Sequence, residues 1–209
     1  RANIFKLPGD LPTEAVIGAG CALVTAIHGV ERTGIDWRDT VVVQGAGPVG
    51  IAALAVAKSA GASKVILIGG PKHRLEMANQ FGADETIDYT NVDFSKWAVE
   101  KYGKPQRRTY EGGVDVVINF TGGDTWHPSL RCLKRGGKLL VCGATAGYDP
   151  KEDLRFIWVR EINILGSNGW RRDDIEWILT AVSEKRFDPC VDRVFPLAQA
   201  VEAMRQGPL

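Results

Sequence analysis

The sequence predicts an α/β protein: a doubly wound, six-stranded parallel sheet with helices on both faces. Two observations carry that reading. Strand and helix patterns alternate almost throughout the 209 residues, which calls for a parallel sheet covered on both sides. The valines Val41, Val42 and Val43 also run directly into Gly45, Gly47 and Gly50, and a helix pattern and a second apolar strand come after them. Right-handed crossovers then wind the sheet in both directions.

Residues 7 to 12 read as a linker by their proline and glycine content, and Thr13 is placed to cap a helix over residues 14 to 30. That helix sets Cys21 and Thr25 four residues apart, on one face. The valine strand and an alanine-rich helix over residues 51 to 60 come next, then a strand over residues 63 to 68. A helix over residues 71 to 80 leads to a strand at 84 to 89, and a polar amphipathic helix at 94 to 101 to a strand at 114 to 120. A helix over 126 to 134 precedes strands at 138 to 143 and 161 to 166. The tail reads as a helix at 174 to 184, a short strand at 191 to 195 and a helix at 197 to 205. Residues 1 to 30 therefore form a linker and helix bordering a site, 31 to 186 the main domain, and 187 to 209 a strand and helix packed on it.

Bulk composition excludes several classes. Hydrophobic residues make up 44% and the formal net charge is +1, so no overall attraction to nucleic acid or acidic lipid is implied. The pairs Arg107–Arg108 and Arg171–Arg172 read as solvated surface charges. Cys21, Cys132, Cys142 and Cys190 lie too far apart for a paired ligand motif and read as reduced thiols of a cytoplasmic protein. The longest apolar run, residues 15 to 24, is too short to cross a bilayer.

Each glycine of the turn has its own work. Gly45 permits the tight turn, Gly47 lets a pyrophosphate approach the backbone, and Gly50 lets helix and strand pack closely. Pro48 suits the first helical turn, and the N–H groups around Val49 face the anion with the positive end of the helix dipole.

With these motifs in place, the chain resembles the zinc-dependent medium-chain alcohol, polyol and threonine dehydrogenases. The resemblance rests on Leu7, Pro8, Asp10, Leu11 and Pro12, on the helix from Cys21 to His28, on the glycine turn, and on Arg74, Leu75, Ala78 and residues 81 to 84. It covers nearly the whole chain but only the cofactor half of that family, the Rossmann domain. Arg1 is expected to enter after the catalytic lobe, and Leu209 to stop before the segment that returns to it. The resemblance makes Cys21 a zinc ligand in the complete enzyme; no zinc is expected on this chain by itself, because a catalytic site takes three protein ligands. It also sets Thr25 between zinc and nicotinamide, and Ser167 and Asn168 at the carboxamide. His28 reads as structural.

The adenosine end is read from the residues just past the second strand. Members that use NAD place a carboxylate there, about twenty residues past the glycines. Gly69 holds that place, then come Gly70, Pro71, Lys72, His73 and Arg74, and no carboxylate falls between Gly50 and Glu76. A carboxylate about 4 Å from a 2′-phosphate would cost roughly 1 to 4 kcal/mol, and a cation would gain a similar amount. NADP is therefore favoured, with NAD second. Other contacts are expected at the carboxyl ends of strands, at Thr121, Gly143 and Ala144.

The implied function is the NAD(P)-binding part of an oxidoreductase that moves a hydride between a small-molecule alcohol and the nicotinamide, inactive without its other lobe. Zinc would there stabilise the alkoxide as a Lewis acid. The alternatives are a zinc-free quinone or enoyl reductase of the same superfamily and a non-catalytic dinucleotide sensor. Residues 161 to 166, as an edge strand, predict a homodimer.

Overall fold

Apolar runs at the centre of the chain's α/β alternation dictate the middle of a six-stranded sheet. In the computed structural model, which describes residues 4–9, 11–191 and 193–206, its strands are β1 (Thr40–Gln44), β2 (Lys64–Gly69), β3 (Glu85–Asp88), β4 (Val114–Asn119), β5 (Leu133–Val141) and β6 (Asn163–Gly166). All pair in parallel, in the order β3-β2-β1-β4-β5-β6. The order reverses between β1 and its neighbours β2 and β4, which opens a crevice at the carboxyl edge where ligands of such sheets bind. Val41, Val42 and Val43 are buried with Val65 to Ile68 and Val116 to Ile118, as a sheet covered on both faces requires.

The chain divides into two compact units, residues 25–169 and residues 1–24 with 170–209. The first holds the whole sheet. Here α3 (Pro48–Ser59) connects β1 to β2 and α4 (Lys72–Gln80) connects β2 to β3. Beyond β3 come α5 (Phe94–Tyr102), α6 (Trp126–Cys132) and the short α7 (Leu154–Val159). Phe94, Leu130, Leu133 and Leu139 share one apolar cluster with Val42, Ile66 and Val117.

The expected N-terminal helix is interrupted. It comprises α1 (Thr13–Gly18), a π turn (Ala19–Leu23) and α2 (Val24–Thr33), with Pro12 rather than Thr13 at the cap position. Thr13 is thus the first helical residue. Joined in this way, residues 13–33 make a helical stretch of 21 residues, long and apolar enough by length and composition to cross a membrane. The run of residues 15 to 24 taken from the sequence understated it, because the apolar face continues through Ala26 and Val30. Those two side chains are buried in the packed interior.

The second unit carries α8 (Arg172–Ser183) and α9 (Ala200–Gln206), the latter entered through a 3₁₀ turn. The strand expected at 191 to 195 does not form at its described residues. Prolines at 189 and 196 bracket it, and a strand without a ladder partner has nothing to fix it. Asp10 and Asp192, within the expected linker and strand, lie outside the described residues, as do both termini. Two further boundaries differ. β5 starts at Leu133, five residues before the expected Lys138, and α7 was not foreseen. The early start pairs Val114 with Leu133 before a register shift brings Val116 opposite Lys138.

Candidate dinucleotide site

The turn after β1 is built by close packing. Gly45 has φ +114°, and a Cβ there would lie 2.9 Å from Phe120 Cε2 and 3.1 Å from Thr121 Oγ1. At Gly50 a Cβ would meet the Gly45 carbonyl oxygen at 1.9 Å. Both glycines are therefore demanded by the fold itself. Gly47 is different: a Cβ there meets nothing within 4 Å, and its backbone is ordinary extended chain at φ −81°. The space beside it is open. Pro48 begins α3, whose N-terminus has no side-chain cap, so the amides around Val49 and Gly50 face that space. These features fit a pyrophosphate: an open approach, free N–H groups and the positive end of a helix of 12 residues.

The neighbouring strand ends close around this turn. The Gly45 amide donates to the Ile68 carbonyl at 2.7 Å, tying turn to β2. Gly69 is buried, and a Cβ on it would lie 2.4 Å from the Ala46 Cβ. Gly70 is looser, with Tyr89 Cε1 3.4 Å from the Cβ position. Lys72, His73 and Arg74 then form the first turn of α4, which has no side-chain cap and no acidic residue there. Lys72 reaches Glu76 at 3.6 Å with both side chains exposed, a weak solvated pair. His73 is exposed and Arg74 half-buried.

On the other side of β1, Thr121 donates its hydroxyl to the Gln44 carbonyl at 3.0 Å. That hydroxyl ties β4 to β1. The geometry comes from Asn119, buried at the end of β4, whose Oδ1 accepts from the amides of Thr121 at 3.0 Å and Gly122 at 2.9 Å. Its Nδ2 donates to Ser129 Oγ and Thr125 Oγ1, both at 3.0 Å. Gly143 and Ala144 lie beside this loop: a Cβ on Gly143 would lie 3.0 Å from the Phe120 carbonyl oxygen, and one on Gly122 would lie 3.0 Å from the Ala144 Cβ. The Ala146 amide donates to the Thr121 carbonyl at 2.7 Å and the Gly123 amide to the Gly147 carbonyl at 2.8 Å. The 121–123 and 144–147 loops are thus tied together.

Beyond β6, the Ser167 amide donates to the Val141 carbonyl at 2.8 Å. Its hydroxyl is buried with no partner among the described residues, 3.7 Å from the position of a Cβ on Gly29 of α2. Asn168 is exposed and Thr25 half-buried.

The structure therefore brings Gly45, Gly47, Gly50, Gly69, Thr121, Gly143 and Ala144 to one edge. Sequence reasoning missed Asn119, Gln44 and Tyr89. An asparagine closing the apolar run Val116 to Ile118 was the available signal for Asn119, since a buried polar group must find partners.

Cys21 lies in the π turn, exposed and with a free thiol. Such turns recur at functional sites. Among the described residues Cys21 is grouped with no two further His, Cys, Asp or Glu donors, and a catalytic zinc takes three protein ligands.

A Gly-x-Gly-x-x-Gly turn at the reversal point of a parallel sheet defines the dinucleotide-binding class of α/β domain. The sequence pattern of one such family, described as "Zinc-binding dehydrogenase", matches residues 48–184, and the chain belongs to that family. It is 44% identical over 170 residues to a 5-exo-hydroxycamphor dehydrogenase of Pseudomonas putida, covering 78% of this chain and 45% of that protein. An NADP-dependent isopropanol dehydrogenase of Entamoeba histolytica is 34% identical over 140 residues, or 66% of this chain and 36% of its own length. Among solved structures, alcohol dehydrogenase TADH from Thermus sp. ATN1 superimposes with a TM-score of 0.85 at 28% identity, over 98% of this chain and 59% of that one. The chain spans about half or less of the length of the curated relatives it matches here.

Proposed function

We propose that this chain is the cofactor-binding part of an oxidoreductase that transfers a hydride between a small-molecule alcohol and NADP. The observation that carries the reading is the turn after β1, where Gly45 and Gly50 are packed tight while Gly47 faces open space at an uncapped helix start. When bound, the nicotinamide accepts or gives the hydride. The chain's own residues position it: Gly47, Pro48, Val49 and Gly50 at the pyrophosphate, Thr121, Gly143 and Ala144 along the carboxyl edge, Ser167 and Asn168 at the carboxamide.

The preference for NADP over NAD is supported by α4. Its first turn puts Lys72, His73 and Arg74 at the positive end of a helix dipole and holds no acidic residue, so basic groups and dipole act in the same sense there. A 2′-phosphate is the anion such a turn suits. Gly70 leaves room for it, and Tyr89, 64% exposed beside Gly70, offers a ring to the adenosine. The similarity to an NADP-dependent isopropanol dehydrogenase agrees with this assignment. Titrating the chain with NADPH and with NADH by fluorescence tests both levels. Tighter NADPH binding supports the whole reading; tighter NADH binding overturns the 2′-phosphate assignment alone, and binding of neither overturns the dinucleotide site on this chain.

In the complete enzyme Cys21 serves as one zinc ligand, its partners supplied from outside this chain, and Thr25 stands near the reacting groups. Thr25→Val is expected to lower turnover of the complete enzyme while leaving cofactor affinity unchanged. Four cysteines with no disulfide among them favour a reducing cytoplasmic setting. The edge strand β6, with Ile164 40% exposed, serves as a homodimer contact, which sedimentation of wild type against Ile164→Lys would detect.

A further inference from the structure

A second concave surface lies away from the dinucleotide turn. It is a groove of about 670 Å³ bounded by the end of α5, the chain after it, the end of α6, and α7. Small-molecule pockets span roughly 300 to 1,000 Å³. Because α5 and α6 run back toward the starts of β4 and β5, their ends lie toward the amino edge of the sheet, opposite Gly45 to Gly50.

Its charge is one-sided. Lys104, Arg107, Arg131, Arg155 and Arg160 line it against a single carboxylate, Asp153. That carboxylate is already taken: Arg155 Nη2 meets it at 2.7 Å and Nε at 2.9 Å. Among the described residues no hydrogen bond or ion pair engages the charged ends of Lys104, Arg107 or Arg131. Arg160 is 5% exposed and donates to the carbonyls of Leu130 at 2.8 Å, Arg131 at 3.0 Å and Leu133 at 2.7 Å. Burial holds its guanidinium below its ordinary pKa, Arg131 adds to that effect, and no carboxylate is among the charges acting on it. A buried cation with no counter-ion is costly, and an anion in the groove would offset that cost. The remaining wall is apolar, including Phe156, whose ring centre lies 4.9 Å from the Arg160 guanidinium, and Trp158, 70% exposed.

We propose that this groove binds a small organic anion bearing two or more negative charges on a compact apolar body, at a site separate from the dinucleotide turn. Arg131 and Lys104 meet the charge, with the guanidinium fork suited to paired oxygens. Phe156 and Trp158 meet the body.

The test is calorimetric titration of the chain with phenyl phosphate, inorganic phosphate and benzoate, each with and without excess NADPH. Phenyl phosphate is expected to bind more tightly than the other two and to be unaffected by NADPH. The exposed pair Lys104→Gln and Arg131→Gln is expected to weaken it by about tenfold or more with circular dichroism unchanged. Trp158→Ala should erase its advantage over inorganic phosphate. Absence of binding, displacement by NADPH, or undiminished affinity in the folded double variant would each overturn the proposal.

Discussion

A Cβ on Gly69 would stand 2.4 Å from the Cβ of Ala46 and 2.8 Å from its backbone nitrogen. The end of β2 and the glycine turn after β1 are thus in contact through a residue that has no side chain. This changes what Gly69 means. From the sequence it is the position where a carboxylate is missing; in the structure it is also the position where the fold tolerates no side chain without movement.

The consequence for cofactor choice is that an acid introduced at Gly69 disturbs the turn before it meets any ribose. Gly69→Asp is expected to cost about 1 to 3 kcal/mol in urea unfolding and to weaken NADPH and NADH alike. Gly70→Asp, whose Cβ would make only ordinary contact with Tyr89, is the informative exchange. It should leave the melting temperature nearly unchanged and shift the NADPH-to-NADH affinity ratio by about tenfold toward NADH. An unchanged ratio in a folded Gly70→Asp protein would refute the 2′-phosphate assignment.

Gly45 and Gly47 of the turn separate in the same kind of experiment. Gly45→Ala places a Cβ 2.9 Å from Phe120 at φ +114° and should destabilise the chain by about 1 to 3 kcal/mol. Gly47→Ala meets nothing within 4 Å and should leave stability within about 0.5 kcal/mol. Its effect belongs to binding, an expected loss of about tenfold or more for either dinucleotide. Thermal melts and titrations of both variants check the pair, and a Gly47→Ala protein of full affinity would remove the pyrophosphate from this turn.

The sheet and its glycine turn were legible because their signals are local: three valines, fixed glycine spacing and a helix directly after. The features that stayed hidden arise from residues distant in sequence. Nothing local says that Gly69 touches Ala46, or that Asn119 organises Thr121, Gly122, Thr125 and Ser129. β5 begins early because Leu133 finds Val114 as a partner across the sheet, whereas the helix expected from the sequence ran on to Lys134. The strand expected at 191 to 195 does not form at its described residues for the converse reason: Val191, Val194 and Phe195 have no ladder partner. The π turn at Ala19–Leu23 leaves no mark in composition.

Asn119 tests how much that hidden network holds. Asn119→Ala removes the acceptor of two backbone amides and the donor to two hydroxyls in a buried setting. The unmet groups should cost about 1 to 3 kcal/mol in chemical denaturation. Weaker dinucleotide binding is expected beside it, since the 121–123 loop loses its anchor.

Acid sensitivity is expected at Asp84. Burial pushes its carboxyl up, but Lys58 at 2.9 Å and the Val65 amide at 2.6 Å together bring it below the ordinary carboxylate value of 3.8. With the folded value depressed, its stabilisation is present above 3.8 and fades as pH falls through the folded value. Asp84→Asn should lose about 1 kcal/mol at neutral pH after solvent screening, and the gap to wild type should close in strong acid. A gap that persists or widens on acidification would contradict this.

The arginine that closes the last turn of α6 has a bearing on the order of folding. Arg160 satisfies the carbonyls of Leu130, Arg131 and Leu133 from 27 to 30 positions further along the chain. Until β5 has been laid down and α7 has turned back, that helix end has no such partner. The three elements are therefore expected to assemble as one cooperative block, with a loop-closure penalty met before the helix is complete. Amide exchange at the end of α6 should accordingly track that of β5 rather than fray independently, so the slowest-opening part of this half of the sheet extends into a helix of only seven residues.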